Sequence, residues 1–117
     1  MIVNKNNQKI IAKNVTYTTN VWQRLTGLMG RKSLKQDSAF FIYPCQQVHT
    51  FFMRFSIDCA FIDDNYKVIK LYESLKPWRI SRKVSRAYGV IEFPAGTIKS
   101  TSVKEQDTLR FIKETAK

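Results

Sequence analysis

Phe51-Phe52-Met53-Arg54-Phe55-Ser56-Ile57-Asp58-Cys59-Ala60-Phe61-Ile62-Asp63-Asp64-Asn65-Tyr66-Lys67-Val68-Ile69-Lys70-Leu71-Tyr72 is the stretch whose reading decides the fold. Phe51, Met53, Phe55, Ile57, Cys59 and Phe61 alternate with Arg54, Ser56 and Asp58, the period of two that sends successive side chains to opposite faces of a strand. One face is core and the other is mixed and polar. Asp63-Asp64-Asn65 then interrupts the pattern with side chains that can bond the local backbone, and Val68 to Tyr72 returns as a second strand. The stretch is therefore a β-hairpin.

Working outward, more strands flank it. Ala39 to Tyr43 is a short apolar run ended by Pro44, which has no backbone donor to continue a central strand. Ile2-Val3 and Ile10-Ile11 enclose the polar, asparagine-rich segment Asn4 to Gln8, which predicts an opening hairpin. Downstream, Tyr88 to Phe93 is a strand closed by Pro94-Ala95-Gly96, and Thr108 to Ile112 is the last. Lys76 to Arg86, basic and carrying Pro77, is a long surface loop with Trp78 as its one large apolar group.

Only one segment has helical spacing. Val21, Leu25 and Leu28 recur on one stripe with Trp22 and Met29 beside it; Asn20 can cap the first turn, and Gly30 can end the helix in the left-handed conformation. Short strands separated by turns, with one short α-helix near residues 20–30, define a mainly β chain. The expected architecture is a compact antiparallel β-barrel or sandwich, a single domain over residues 1–117.

The chain has 44% hydrophobic and 25% charged residues, a globular composition without a low-complexity tract. No run approaches the roughly 20 apolar residues of a membrane span, and the start Met1-Ile2-Val3-Asn4-Lys5-Asn6-Asn7 has no apolar signal core. The expectation is a cytoplasmic protein with no membrane partner. Cys45 and Cys59 do not form a C-x-x-C pair and read as buried free thiols. Cys45, His49 and Asp58 could start a metal set, but no second Cys or His motif completes it, so neither metal nor cofactor is expected. The formal charge of +11 favours anionic partners at long range. Its basic residues are scattered, with Lys76 to Arg86 the one patch, and no recognised nucleic-acid motif accompanies them.

Four groups carry the polar chemistry. Arg24, Gly27, Leu28, Met29, Gly30 and Arg31 form a structural motif in which the two arginines share one helix face, free to pair with carboxylates or to hold an anion. His49, Thr50, Arg54 and Asp58 lie among large apolar residues, where an unpaired polar group is costly to bury. Trp78 and Arg79 can stack on a ring and grip an anion, or Trp78 can fold back over the barrel mouth. Glu92 is a carboxylate inside an apolar strand.

The leading reading is a small β-rich binding or accessory domain with a polar pocket of His49, Thr50, Arg54, Asp58, Trp78, Arg79 and Glu92. A small anionic or polyhydroxylated molecule would suit those groups. Nucleic-acid association through loop 76–86 is one alternative, and an enzyme using His49 as general acid or base with Asp58 or Glu92 is another. No nucleophile motif is present. Internal Arg54–Glu92 or Arg24–Asp58 ion pairs would explain the same residues without a ligand.

These residues are also where the chain resembles the bacterial and archaeal family known as domain of unknown function 192. The matching segments are Arg24 with Gly27 to Arg31, His49 to Phe55 with Ile57-Asp58 and Phe61 to Asp63, Pro77-Trp78-Arg79, and Glu92 with Ala95-Gly96. The resemblance implies a small barrel-like sandwich of mostly antiparallel strands with one short helix, and supplies no established activity. Such families include cytoplasmic and exported forms. They often have glycine before the acidic residue that precedes the final strand; this chain has Gln106 before Asp107.

Overall fold

The computed structural model describes residues 1–19 and 34–113. Its elements run β1 (Ile2–Asn4), β2 (Ile10–Ala12), β3 (Asn14–Thr18), β4 (Ser38–Ile42), β5 (Ile57–Ile62), β6 (Val68–Leu75), β7 (Gly89–Pro94), α1 (Thr97–Thr101) and β8 (Leu109–Phe111). The helix expected near residues 20–30 lies outside the described residues, as do Arg24, Gly27, Leu28, Met29, Gly30 and Arg31.

The strands form a three-stranded sheet in the order β2-β1-β8 and a five-stranded sheet in the order β3-β4-β7-β5-β6. Neither closes on itself, so the mainly β expectation holds while the barrel alternative gives way to two open sheets. The expected hairpins form: β1 pairs antiparallel with β2, and β5 with β6. At the second turn Asp63 Oδ1 accepts the backbone N–H groups of Asn65 and Lys67, both at 2.9 Å.

Three features depart from the sequence reading, the first being helix α1, where no helix was expected. Strand β3 was not foreseen, and it pairs with β4 in parallel, from Asn14 beside Ser38 to Thr18 beside Ile42. Parallel neighbours need a long crossover, which the connection 19–37 supplies. The strand expected from Phe51 begins only at Ile57. Phe52 there has φ 68°, a left-handed backbone no strand accommodates.

All six residues of β5 and all six of β7 are buried, because both faces of the large sheet are covered. Ala60, Ile62, Ile91 and Phe93 pack with Ile2, Ile11 and Leu109 of the small sheet and with Ile98 of α1. Ile57, Cys59, Phe61 and Val90 pack on the opposite face with Val48, Met53 and Ala87, from the loops before β5 and before β7. Each fully buried Ile or Phe contributes roughly 1.5–3 kcal/mol by leaving water. The close approach of β7 to β4 requires Gly89: a Cβ there would stand 2.7 Å from the Phe41 ring and 2.8 Å from the Ile42 carbonyl oxygen. Among the described residues no helix is long and apolar enough to cross a membrane.

Candidate functional site

The loops covering the second face are stitched together like a miniature ladder. Val84 N–H donates to the Gln46 carbonyl (2.7 Å), Ser81 N–H to that of Val48 (2.8 Å), and Thr50 N–H to that of Arg79 (2.8 Å); His49 and Ile80 form an isolated antiparallel bridge. Side chains finish what the backbone leaves open. Gln46 donates to the Ser85 carbonyl (2.6 Å), Gln47 to that of Ser81 (2.8 Å), and Ser81 Oγ accepts from Val48 N–H (3.0 Å).

Thr50 is the rivet of this arrangement. It is fully buried, its Oγ1 donates to the Lys76 carbonyl (2.6 Å) and accepts from Arg79 N–H (2.9 Å), and its own carbonyl accepts from Trp78 N–H (3.0 Å). Buried backbone groups away from regular sheet need such partners, which explains a polar residue in an apolar run.

Held by that rivet, an aromatic ledge reaches solvent. The His49 ring stacks on Phe51 at 4.8 Å between centroids, Phe51 lies 6.0 Å from Trp78, and Phe52 meets Trp78 edge-on at 4.8 Å. Phe52 and Trp78 are each 56% exposed and Ile80 is 57% exposed. Phe52 and Trp78 both adopt left-handed backbone, φ 68° and 62°. Arg54, Lys76, Arg79, Arg82, Lys83 and Arg86 of the same loops are exposed.

The two carboxylates expected in the same pocket lie on opposite faces of the sheet. Asp58 pairs with Phe93 and Cys59 pairs with Glu92, so consecutive positions of β5 place Asp58 on the face of the small sheet and Glu92 on the face of the loops. Asp58 is fully buried. Its Oδ1 accepts from Ser74 N–H (2.8 Å), and its Oδ2 accepts from Gly96 N–H (3.1 Å) and Ile98 N–H (2.8 Å). Ser74 belongs to a bulge, since Glu73 and Ser74 together oppose Asp58 between the pairs Ile57–Leu75 and Cys59–Tyr72. One carboxylate thus serves the amide the bulge orphans and caps α1 from another strand.

That placement removes Asp58 as a partner for His49 and as the third member of a set with Cys45 and His49. Among the described residues no group of three His, Cys, Asp or Glu could hold a metal ion. Glu92 is fully buried between Phe40 and Cys59 on the neighbouring strands, whereas Arg54 is exposed, which leaves the Arg54–Glu92 pair without support. The alternative Arg24–Asp58 pair involves a residue outside the described ones.

The structure therefore brings together His49, Thr50, Trp78 and Arg79, keeps Arg54 next to the Thr50–Met53 turn, and puts Asp58 on the opposite face of the sheet from the loops. Phe51, Phe52 and Ile80 join the ledge without having been foreseen: Phe51 read as a core position of an alternating strand, Phe52 fell between such positions, and Ile80 was passed over in a loop read for its charge and Trp78. A second aromatic group, Tyr17, Phe41, Tyr43, Tyr66, Tyr88 and Phe111, comes from five separated segments and has no local sequence signal.

The described residues define a small mainly β protein of two open sheets, with an exposed aromatic ledge on the loops that cover one face of the larger sheet. Residues 1–111 match the family DUF192, described as "Uncharacterized ACR", and the chain belongs to that family. It is 33% identical to a UPF0127 protein of Pyrococcus horikoshii, over 96% of this chain and 99% of that one. A UPF0127 protein of Pyrococcus furiosus is also 33% identical, over 94% and 97%. A solved protein of Sinorhizobium meliloti, carrying the provisional name of a transcription regulator, shares the fold with a TM-score of 0.69 at 23% identity, over 82% of this chain and 79% of that one.

Proposed function

We propose that this chain is a binding domain whose ligand face is the ledge of Phe52, Trp78 and Ile80 with Arg54 and Arg79, and that it takes a small anionic, ring-bearing molecule of the sugar-phosphate or sugar-acid kind. The observation that carries the reading is the state of Phe52 and Trp78. Both hold a strained left-handed backbone and leave their rings more than half exposed, a cost with no gain in core packing. Solvent-facing rings that meet edge-on, on loops that also carry exposed guanidinium groups, suit the flat face of a sugar and its charged substituent.

The test is a calorimetric and NMR titration with glucose 6-phosphate, glucuronate and unsubstituted glucose. The charged sugars bind more tightly than glucose; Trp78→Ala and Arg79→Ala abolish the heat while leaving the melting temperature unchanged. Unfolding of both variants, or equal affinity for all three sugars, overturns the reading.

Nucleic-acid binding is the second reading, favoured by the exposed run Lys76, Arg79, Arg82, Lys83 and Arg86 beside Trp78. It requires affinity for a short oligothymidylate that falls with salt, with a log–log slope of about 0.7 per phosphate contacted.

A further inference from the structure

Six aromatic side chains line an open cavity of about 250 Å³: Tyr17, Phe41, Tyr43, Tyr66, Tyr88 and Phe111, with Lys113 at its edge. It opens onto a second cleft of about 420 Å³ that shares Tyr17, Tyr43 and Lys113 and is also lined by Lys13. We propose that this cavity is a binding site for a small aromatic anion, an aryl carboxylate of one or two rings, with the ring among the tyrosines and the carboxylate at Lys113 and Lys13.

Size comes first. An apolar cavity of roughly 150 Å³ suffices for benzene, so one of 250 Å³ has room for one or two fused rings. The lining offers ring faces and edges in several orientations. Phe41 stacks on Tyr43 at 4.9 Å, Tyr43 on Tyr88 at 5.8 Å, and Phe111 lies 4.8 Å from Phe41 and 5.1 Å from Tyr66. A further ring can join such a set by the same offset and edge contacts.

Charge decides the sign of the ligand. Lys113 Nζ stands 5.3 Å from the centre of the Tyr17 ring, so an ammonium group already holds the cation position of this cage. Among the described residues neither cleft is lined by Asp or Glu. Among the described residues an incoming organic cation would meet two lysines and no carboxylate, whereas an anion would meet two ammonium groups.

Tyr17 supplies an independent observation. Its hydroxyl is buried and has no hydrogen-bond partner among the described residues, although a buried phenol nearly always has one. Burial, and then the nearby phenols of Tyr66 and Tyr43, push its pKa above the ordinary value, which keeps the group a donor. A carboxylate in the cleft would take that proton donor.

The experiment is an NMR titration of the chain, 13C-labelled at Tyr and Phe, with 2-naphthoate and with 2-naphthylmethyl-trimethylammonium. Saturable shifts with 2-naphthoate at Tyr17, Tyr43 and Phe111 are expected. Lys113→Gln raises the dissociation constant about tenfold, the scale of one lost charge-assisted contact. Tyr17→Phe weakens binding severalfold while melting no lower than the parent, a combination that a purely structural tyrosine would not show. Trp78→Ala leaves naphthoate binding intact, which separates this site from the ledge. Absence of saturable shifts at millimolar naphthoate, indifference to Lys113→Gln, or equal or tighter binding of the ammonium compound overturns the proposal.

Discussion

Replacing Asp58 with asparagine changes one oxygen to an NH2 group and nothing else in shape, yet the structure assigns it a large effect. Asp58 receives three backbone N–H groups on two oxygens. If the asparagine oxygen keeps the two amides at the start of α1, its NH2 group faces Ser74 N–H, donor against donor. One charge-assisted bond is lost, worth about 1.5–3 kcal/mol, and the remaining two lose their charge. A total of roughly 2–4 kcal/mol is a sizeable share of the roughly 5–15 kcal/mol that holds an ordinary domain together. At about 4 °C per kcal/mol for a chain of this length, the melting temperature of Asp58→Asn should fall by roughly 8–16 °C. Calorimetry measures the fall, and hydrogen exchange should show Ser74, Gly96 and Ile98 amides losing protection first. An unchanged melting temperature together with lost ligand binding at the ledge would refute the assignment and return Asp58 to the site.

Three further substitutions probe other parts of the molecule. Thr50→Val removes two buried hydrogen bonds between the loops, and should cost roughly 1–3 kcal/mol while speeding amide exchange at Trp78 and Arg79 before the sheet opens. Gln106 has φ 78°, so Gln106→Gly should relieve left-handed strain and stabilise by up to about 1 kcal/mol in denaturant titration, net of glycine's greater unfolded freedom. The raised pKa of Tyr17 means that the unfolded chain loses its phenolic proton first. Its contribution is therefore complete below the unfolded value and lost as pH climbs toward the folded one. Melting curves from neutral pH to above about 10 should show an alkaline decline that is shallower in Tyr17→Phe.

Gln106 shows how a local rule and a family pattern meet. The resemblance implies glycine before the acidic residue that precedes the last strand, and the backbone of this chain there is one that favours glycine, with Gln106 at φ 78°. This chain keeps the turn with glutamine. Gln106 N–H donates to the Val68 carbonyl at 2.7 Å, and Asp107 Oδ2 accepts from Asn4 Nδ2 and Lys104 N–H.

Legibility followed the range of the interaction. The Asp63-Asp64-Asn65 turn and the two hairpins were readable because neighbours in sequence make them. Helix α1 was not, since five residues carry no period and its cap, Asp58, arrives from β5. Of the expected site, Thr50 was found for its polarity but acts as the joint between two loops. Trp78 and Arg79 were named for their chemistry, and both are exposed on their loop. Phe52 was misread, because its left-handed φ has no signature in an alternating apolar run.

What the sequence determined by itself was the strand character of 57–62 and 68–72, the turn between them, and the set of polar residues needing an explanation. The tertiary structure alone decided which of them meet. Asp58 and Glu92 are both buried carboxylates in central strands, and nothing within either strand says which face it shares with the other. Register does: with Cys59 opposite Glu92, Asp58 must face the other way, and a slip of one residue would have put both carboxylates on one side. That register is set by burying apolar residues on both faces of the five-stranded sheet at once, a condition that exists only after the small sheet and the two loops have closed over it.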